Sequence, residues 1–310
     1  MIKSNTPHWP LAVFDWGTSN LRVYVVEASG KILERKEWPL GVKFSEPSQL
    51  PMRFTEIMER LEAQFCCQYA LLIGMIGSGM GWRDVPMLHG PLSIAEHASR
   101  LFPLDGTDAY IVPGVTAPSV VGLTDMMRGE ETQAYGALRL LQKSNLLLCM
   151  PGTHSKWVSL KDNLIHGITT SITGELFELL SNNSVLHEQL RDAGSSFDQT
   201  GFREGLEIAK SGLGAQNLAF SVRPRALVNC KSIQANASSY LSGILIGSEI
   251  LAMKTAFGVS EIAIIAEMGL AKLYEIACGT FAISAMVLDG AEAVCAGASK
   301  LHSAHHALKD

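Results

Sequence analysis

The pattern that most constrains this chain occurs twice. Asp15–Val23 reads "DWGTSNLRV" and Pro151–Val158 reads "PGTHSKWV". Each follows an apolar run, opens with Gly-Thr close behind it, and passes through polar residues to a cation (Arg22 or Lys156) entering a second apolar run. A turn ("EASGK", "KDN") and a third strand-like run follow both. Short apolar runs bounded by turn residues read as strands, so each copy predicts a β-hairpin with a Gly-Thr tip. Two copies predict duplicated halves. Such a tip exposes backbone N–H groups beside hydroxyls, which suits phosphate oxygens. Ordinary turns favour the same residue types, and it is the pairing that favours phosphate. The candidate phosphate contacts are Gly17, Thr18, Ser19 and Asn20 in the first tip, and Gly152, Thr153, His154 and Lys156 in the second. Asp15, ending the first strand, is the candidate Mg²⁺ holder, since hard cations prefer carboxylate oxygen.

Further strands are predicted at Lys31–Glu37, Ala70–Ile73, Ala109–Val112, Ile165–Ile172, Ile262–Ala266 and Phe281–Val287. Helical stripes run through Phe54, Ile57, Met58, Leu61 and Phe65, through Ala134, Ala137, Leu138 and Leu141, and through Leu176, Leu179 and Leu180. Strand groups alternating with helices predict an α/β fold. With 310 residues, 47% of them hydrophobic, the chain is long enough for two domains. The boundary is placed near Ala137, giving domains 1–137 and 138–310. Arg191–Lys210, polar and glycine-bearing, reads as a surface segment. Gly243 and Gly247, four apart on a predicted helix, read as a close backbone approach, more by packing than by ligand binding.

A net charge of -5 without a block of like charges points away from nucleic acid and anionic membranes, toward a small-molecule partner. "YLSGILIGSEILAMKTAF" comes nearest to a membrane span, but Glu249 and Lys254 interrupt it. The first residues lack a signal-peptide pattern, so a cytoplasmic protein is expected. The six cysteines (66, 67, 149, 230, 278 and 295) lack metal-ligand spacing and read as buried, reduced thiols. His302, His305 and His306 read as a frayed polar tail.

No GxxxxGK[ST] loop is present. "GMIGSGMGW" (Gly74–Trp82) follows a strand, but Trp82 stands where a dinucleotide fingerprint needs its third glycine. The stretch suits a substrate loop, with Met75, Gly77, Ser78 and Trp82 as candidate contacts. In "MRGEETQAYGA", Arg128 can fork a carboxylate. Glu130 and Glu131 open a helix, where acids suit the dipole or serve as general base for a substrate hydroxyl. Asp125 is the rival base. Arg22 and Glu175, the latter beside Gly174 at a helix start, complete the candidate substrate contacts.

Taken in order, "DWGTSNLR", "GMIGS", "MRGEETQ", "MPGTHSKWV", "TGEL" and "SGILIGSE" resemble the 2-oxo-3-deoxygalactonate kinases, from about Val13 to Gly297. The resemblance implies the sugar kinase, Hsp70 and actin superfamily: two ribonuclease H-like α/β halves with ATP in the cleft between them, the last helix returning to the first half. It implies transfer of the ATP γ-phosphoryl group to the 6-hydroxyl of 2-dehydro-3-deoxy-D-galactonate in galactonate catabolism, with ATP and Mg²⁺ as cofactors. A homodimer is the candidate assembly. Related sugar kinases place an acid where Glu130 and Glu131 stand. One departure counts: Ala266 and Glu267 occupy the adenosine motif where smaller residues are expected. That departure motivates one alternative, a non-catalytic sugar-acid sensor; the other alternative is a kinase of the same fold for another sugar or sugar acid.

Overall fold

The computed structural model describes residues 9–191, 197–228 and 236–308. The first strands are β1 (Leu11–Trp16), β2 (Leu21–Val26), β3 (Ile32–Trp38), β4 (Tyr69–Gly74), β5 (Leu88–His89), β6 (Phe102–Pro103), β7 (Ala109–Ile111), β8 (Val115–Pro118) and β9 (Thr124–Met127). Then follow β10 (Leu146–Met150), β11 (Ser155–Lys161), β12 (Leu164–Ser171), β13 (Glu261–Ala266) and β14 (Ser284–Asp289). One sheet has the order β3-β2-β1-β4-β7-β6, and another the order β12-β11-β10-β13-β14. Each therefore sets the second and third strands of its meander on one side of its first strand; on the other side the first sheet adds β4, β7 and β6, and the second adds β13 and β14. That is the duplication expected from the paired hairpins, with the same order over five strands and β6 added at the edge of the first sheet.

In the first sheet β1, β2 and β3 are antiparallel, whereas β4 runs parallel to β1 and β7 parallel to β4. β1 and β2 are almost wholly buried, as strands inside a sheet covered on both faces must be. β3 is an edge strand carrying Glu34, Arg35, Lys36 and Glu37, charges that discourage pairing with another chain. Phe14, Trp16, Val23, Val25, Leu72 and Ile111 form a core that Phe54 and Leu61 of the Leu50–Phe65 helix complete. Burying each such side chain contributes roughly 1.5–3 kcal/mol.

By packing, the chain divides into two compact units. One comprises Met1–Leu148, Val158–Thr169 and Leu288–Asp310; the other comprises Cys149–Trp157 and Thr170–Val287. In the first unit the Gly290–Ala307 helix crosses the Glu130–Leu141 helix very closely. A Cβ on Gly136 would lie 1.9 Å from the Ala293 carbonyl oxygen, and one on Gly297 1.8 Å from that of Thr132.

Three expectations need correction. Arg191–Lys210 is not simply surface: residues 192–196 lie outside the described residues, but Gln199–Ala209 is a helix capped by Asp198. It buries Phe202, Leu206 and three small residues. Its glycines serve contact: a Cβ on Gly205 would meet the Tyr240 carbonyl at 2.2 Å, and one on Gly243 the Phe202 carbonyl at 2.1 Å. The packing reading of Gly243 and Gly247 is therefore the right one. The histidine segment is no frayed tail. His302 and His306 are 2% and 6% exposed on the last helix, among the rings of Trp9 and Tyr69. His305 Nδ1 lies 2.9 Å from the Ala98 carbonyl. Lastly, Cys66 is exposed, holding the left-handed position that ends the Leu50–Phe65 helix. Cys67, Cys149, Cys278 and Cys295 are buried thiols; Cys230 lies outside the described residues.

Candidate active site

In the first unit the site begins where β1 ends. The β1–β2 ladder closes at Trp16↔Leu21, leaving Gly17–Asn20 as a tip in which the Gly17 N–H donates to the Asn20 carbonyl at 2.9 Å. From behind, the N–H groups of Gly41, Val42 and Lys43 donate to the carbonyls of Ser19, Gly17 and Thr18 at 2.9, 3.1 and 3.1 Å. The tip carbonyls are thus occupied, while the N–H groups of exposed Thr18 and Ser19 donate to no described residue. A loop whose acceptors are used and whose donors face outward attracts anions. This closeness needs glycine at position 41, where a Cβ would lie 2.3 Å from the Thr18 carbonyl oxygen.

Asp15 neighbours Arg22 across the ladder, with Arg22 Nη1 3.8 Å from its carboxylate and Arg22 Nε donating to Glu37 at 3.0 Å. The Asp15 side chain is 24% exposed. Burial pushes its carboxyl up, and Arg22 opposes that. Arg22 is therefore engaged in an ion-pair row with Asp15 and Glu37.

Asp15 and Trp16 lie beside Ile73 and Gly74 in the parallel β1–β4 ladder. A Cβ on Gly74 would lie 3.7 Å from Asp15 Oδ1, one on Gly129 3.3 Å from the Gly74 Cα, and one on Gly77 3.0 Å from Arg128 Nη1. Three motifs far apart in sequence thus meet at the carboxyl ends of β1 and β4, where parallel α/β sheets bind ligands.

The Gly74–Trp82 loop is folded on itself. Ser78 Oγ donates to the Met75 carbonyl at 2.7 Å, and the Trp82 N–H to the Ile76 carbonyl at 2.9 Å. The Trp82 ring lies 5.5 Å from that of Phe54, and Met75 also packs on the core. Arg128 Nη2 donates to the Val85 carbonyl at 3.0 Å and contacts Met87 Sδ, so this side chain braces the loop; its Nη1 is buried without a hydrogen-bond partner.

The structure separates the two glutamates. Glu131 is fully buried, and both its oxygens accept the Gly129 N–H, at 2.9 and 2.7 Å. Burial, with Glu130 adjacent, pushes its carboxyl up to about 8, against the pull of that N–H and Arg128. Glu130 is half-buried and accepts the Arg128 N–H at 3.0 Å. Asp125 sits on β9 opposite Ala117, its carboxylate accepting the Met126 N–H at 2.7 Å.

In the second unit, Gly152, Thr153 and His154 are exposed between β10 and β11. The Glu175 N–H donates to the Thr153 carbonyl at 2.9 Å, and His154 Nε2 meets Glu175 Oε2 at 2.6 Å. Gly174 has to be glycine, since a Cβ would lie 2.4 Å from the Gly152 carbonyl oxygen. The second tip therefore rests on the start of the Thr173–Asn182 helix. Lys156 Nζ donates to Thr170 Oγ1 at 2.9 Å. Beside the tip a cavity of about 460 Å³ is lined by Gly152, Phe177, Ser242, Leu270, Leu273 and Tyr274, among others. Glu267 occupies the position before the Met268–Thr280 helix without a side-chain capping bond, exposed and outside that lining.

A family model described as 2-keto-3-deoxy-galactonokinase matches residues 15–301. This chain belongs to that family. A Rhizobium meliloti (strain 1021) protein named "Probable 2-dehydro-3-deoxygalactonokinase DgoK1" is 33% identical over 296 residues, 93% of this chain and 95% of that one. The Escherichia coli (strain K12) 2-dehydro-3-deoxygalactonokinase is 31% identical over 240 residues, 77% of this chain and 79% of that one. A Sinorhizobium meliloti crystal structure, provisionally named for the same activity, matches with a TM-score of 0.84 at 31% identity, covering 96% of this chain and 99% of that one. The fold is the actin-like α/β fold expected of 2-keto-3-deoxy-galactonokinases.

Two site features escaped the sequence reading. Gly41 stood in "WPLGVKF" with no mark beyond a turn glycine. Glu249 did carry a signal, a lone carboxylate within the apolar "SGILIGSEILAM", and was read only as interrupting a membrane span.

Proposed function

We propose that this chain transfers the γ-phosphoryl group of ATP to the 6-hydroxyl of 2-dehydro-3-deoxy-D-galactonate, in the cytoplasm, as a step of galactonate catabolism. The observation that carries this reading is the meeting of a donor-lined Gly-Thr tip, a glycine loop and an acid-opened helix at the ends of β1 and β4, in a chain of this family. Phosphoryl transfer asks for positioning and charge neutralisation more than covalent chemistry. In the second unit Gly152–His154 with Lys156 bind phosphate oxygens; in the first unit the N–H groups of Thr18 and Ser19 offer donors of the same kind. The apolar cavity beside Gly152 takes the nucleoside.

The sugar acid lies against the Met75–Trp82 loop, and Glu130, the more accessible of the two glutamates, takes the proton of its hydroxyl. Glu131 fixes the helix start. No group of three or more His, Cys, Asp or Glu among the described residues is arranged to hold a metal. The fitting ion is Mg²⁺, which is commonly held by one or two carboxylates, waters and phosphate oxygens; Asp15 is the residue beside the first tip that can hold it. That ion, bound with ATP, neutralises phosphate charge.

A coupled ADP-release assay tests the reading. ADP should appear only when ATP and the sugar acid are both present, and Glu130→Gln should lower kcat by about 10²–10⁴-fold with the KM for ATP little changed. Full turnover in Glu130→Gln would remove its role as base. A second reading, a kinase of another sugar, is favoured by one observation: Arg128 Nη2 is already committed to Val85 and Met87, so the guanidinium is not free to fork a carboxylate with both ends. Turnover of a neutral sugar in preference to the acid would establish it.

A further inference from the structure

We infer that Glu249 is the positioning residue of the nucleotide-binding part of the site, a buried carboxylate that fixes the second phosphate tip, the Thr173 helix start and the cavity wall against one another. The inference rests on the kinase reading above.

Glu249 lies in the Ala237–Phe257 helix and is 6% exposed. A carboxylate placed there is costly unless its oxygens are hydrogen-bonded. Glu249 Oε1 accepts Trp157 Nε1–H at 2.7 Å; Oε2 accepts the Tyr274 hydroxyl at 2.8 Å and the Thr173 hydroxyl. Tyr274 is in turn 3.0 Å from the Ser155 hydroxyl. Burial pushes the Glu249 carboxyl up, and the donors from Thr173, Trp157 and Tyr274 draw it back. No described Lys, Arg or His pairs with it, so neutral donors alone hold it.

Those donors come from three separate elements, each adjoining the second tip or the cavity beside it. Ser155 and Trp157 begin β11, directly after Gly152–His154. Thr173 precedes Gly174, which packs on the Gly152 carbonyl, and Glu175, which meets His154. Thr173 and Tyr274 line the cavity together with Gly152. Cohesion alone does not call for this residue, because well-packed apolar side chains replace buried charges with little or no loss of stability. Three hydrogen-bond directions converging on one acceptor instead define a single geometry, which a phosphate cradle needs.

The test compares Glu249→Ala and Glu249→Gln with the wild type, using Mg-ADP calorimetry and steady-state kinetics. Glu249→Ala should weaken Mg-ADP binding and raise the KM for ATP by about tenfold or more, leaving the KM for the sugar acid within about twofold. Glu249→Gln should return ATP affinity to within about threefold of wild type, because its amide oxygen still accepts from Trp157 and the hydroxyls can rotate to accept from its NH₂. Unchanged ADP affinity in Glu249→Ala, or both KM values rising together, would overturn the inference while leaving the kinase reading intact. Failure of the wild type to bind Mg-ADP would overturn both. Should Glu249→Ala not fold, Trp157→Phe and Tyr274→Phe each remove one donor and are read by the same split.

Discussion

At the scale of single residues, Glu130 and Glu131 are adjacent in sequence and opposite in circumstance. The carboxyl of Glu131 is held near 8 against an ordinary 4.5, so the folded chain keeps a proton that the unfolded chain has already released. Its contribution to stability therefore weakens as pH rises from 4.5 toward 8. Glu131→Gln, which mimics the protonated form, should flatten that part of a Tm-against-pH curve. An unchanged slope would show that Glu131 is not the group responsible. His97, buried between Tyr135 and the Pro113 carbonyl, has the opposite sense. Burial lowers it from 6.5 to about 4, so its contribution is lost as pH falls through that window. A sequence shows charges but not how far each is buried, and for that reason the order of Glu130 and Glu131 was hidden while their presence was plain.

At the scale of elements, both phosphate tips are shaped by a glycine outside them. Gly41→Ala and Gly174→Ala each drive a Cβ to within 2.3 and 2.4 Å of tip backbone atoms, so each should raise the KM for ATP by about tenfold or more. Gly279→Ala is the control: its Cβ meets nothing within 4 Å, and it should stabilise the chain by about 0.4–1 kcal/mol without changing the kinetics. Thermal melts with the coupled assay check all three. The hairpins were legible as apolar runs bounded by turn residues, and the Leu50–Phe65, Glu130–Leu141 and Thr173–Asn182 helices as stripes at three and four spacing, because both are local signals; the Gly290–Ala307 helix was not read. β5, β6, β8 and β9 were not, being two to four residues long, with Pro103 and Pro118 inside two of them. Gln199–Ala209 was misread because Gly201 and Gly205 look like loop residues until a partner helix is found against them. The histidines of the last helix were taken as polar, yet their rings pack as aromatics among Trp9, Tyr69 and Tyr110.

At the scale of the whole molecule, the duplicated strand order was foreshadowed by two short echoes, and the course of the chain through its units was not written in either. The first unit closes only with Leu288–Asp310. Gly297→Val should lower stability by about 1–3 kcal/mol or more, since its Cβ would lie 1.8 Å from the Thr132 carbonyl. Removing 290–310 should uncover Ala134, Ala137 and Leu138 and abolish soluble expression; a soluble, cooperatively melting truncation would contradict this.

That closure also sets a schedule. Domains usually mature in the order in which the ribosome releases them. Here the segment that finishes the first unit is translated after the entire second unit, so the Glu130–Leu141 helix waits with its apolar face uncovered throughout that synthesis. During that interval the uncovered face invites chaperones, and slow translation of the Gly290–Ala307 codons should increase aggregation more than slow translation of the Leu11–Trp38 codons.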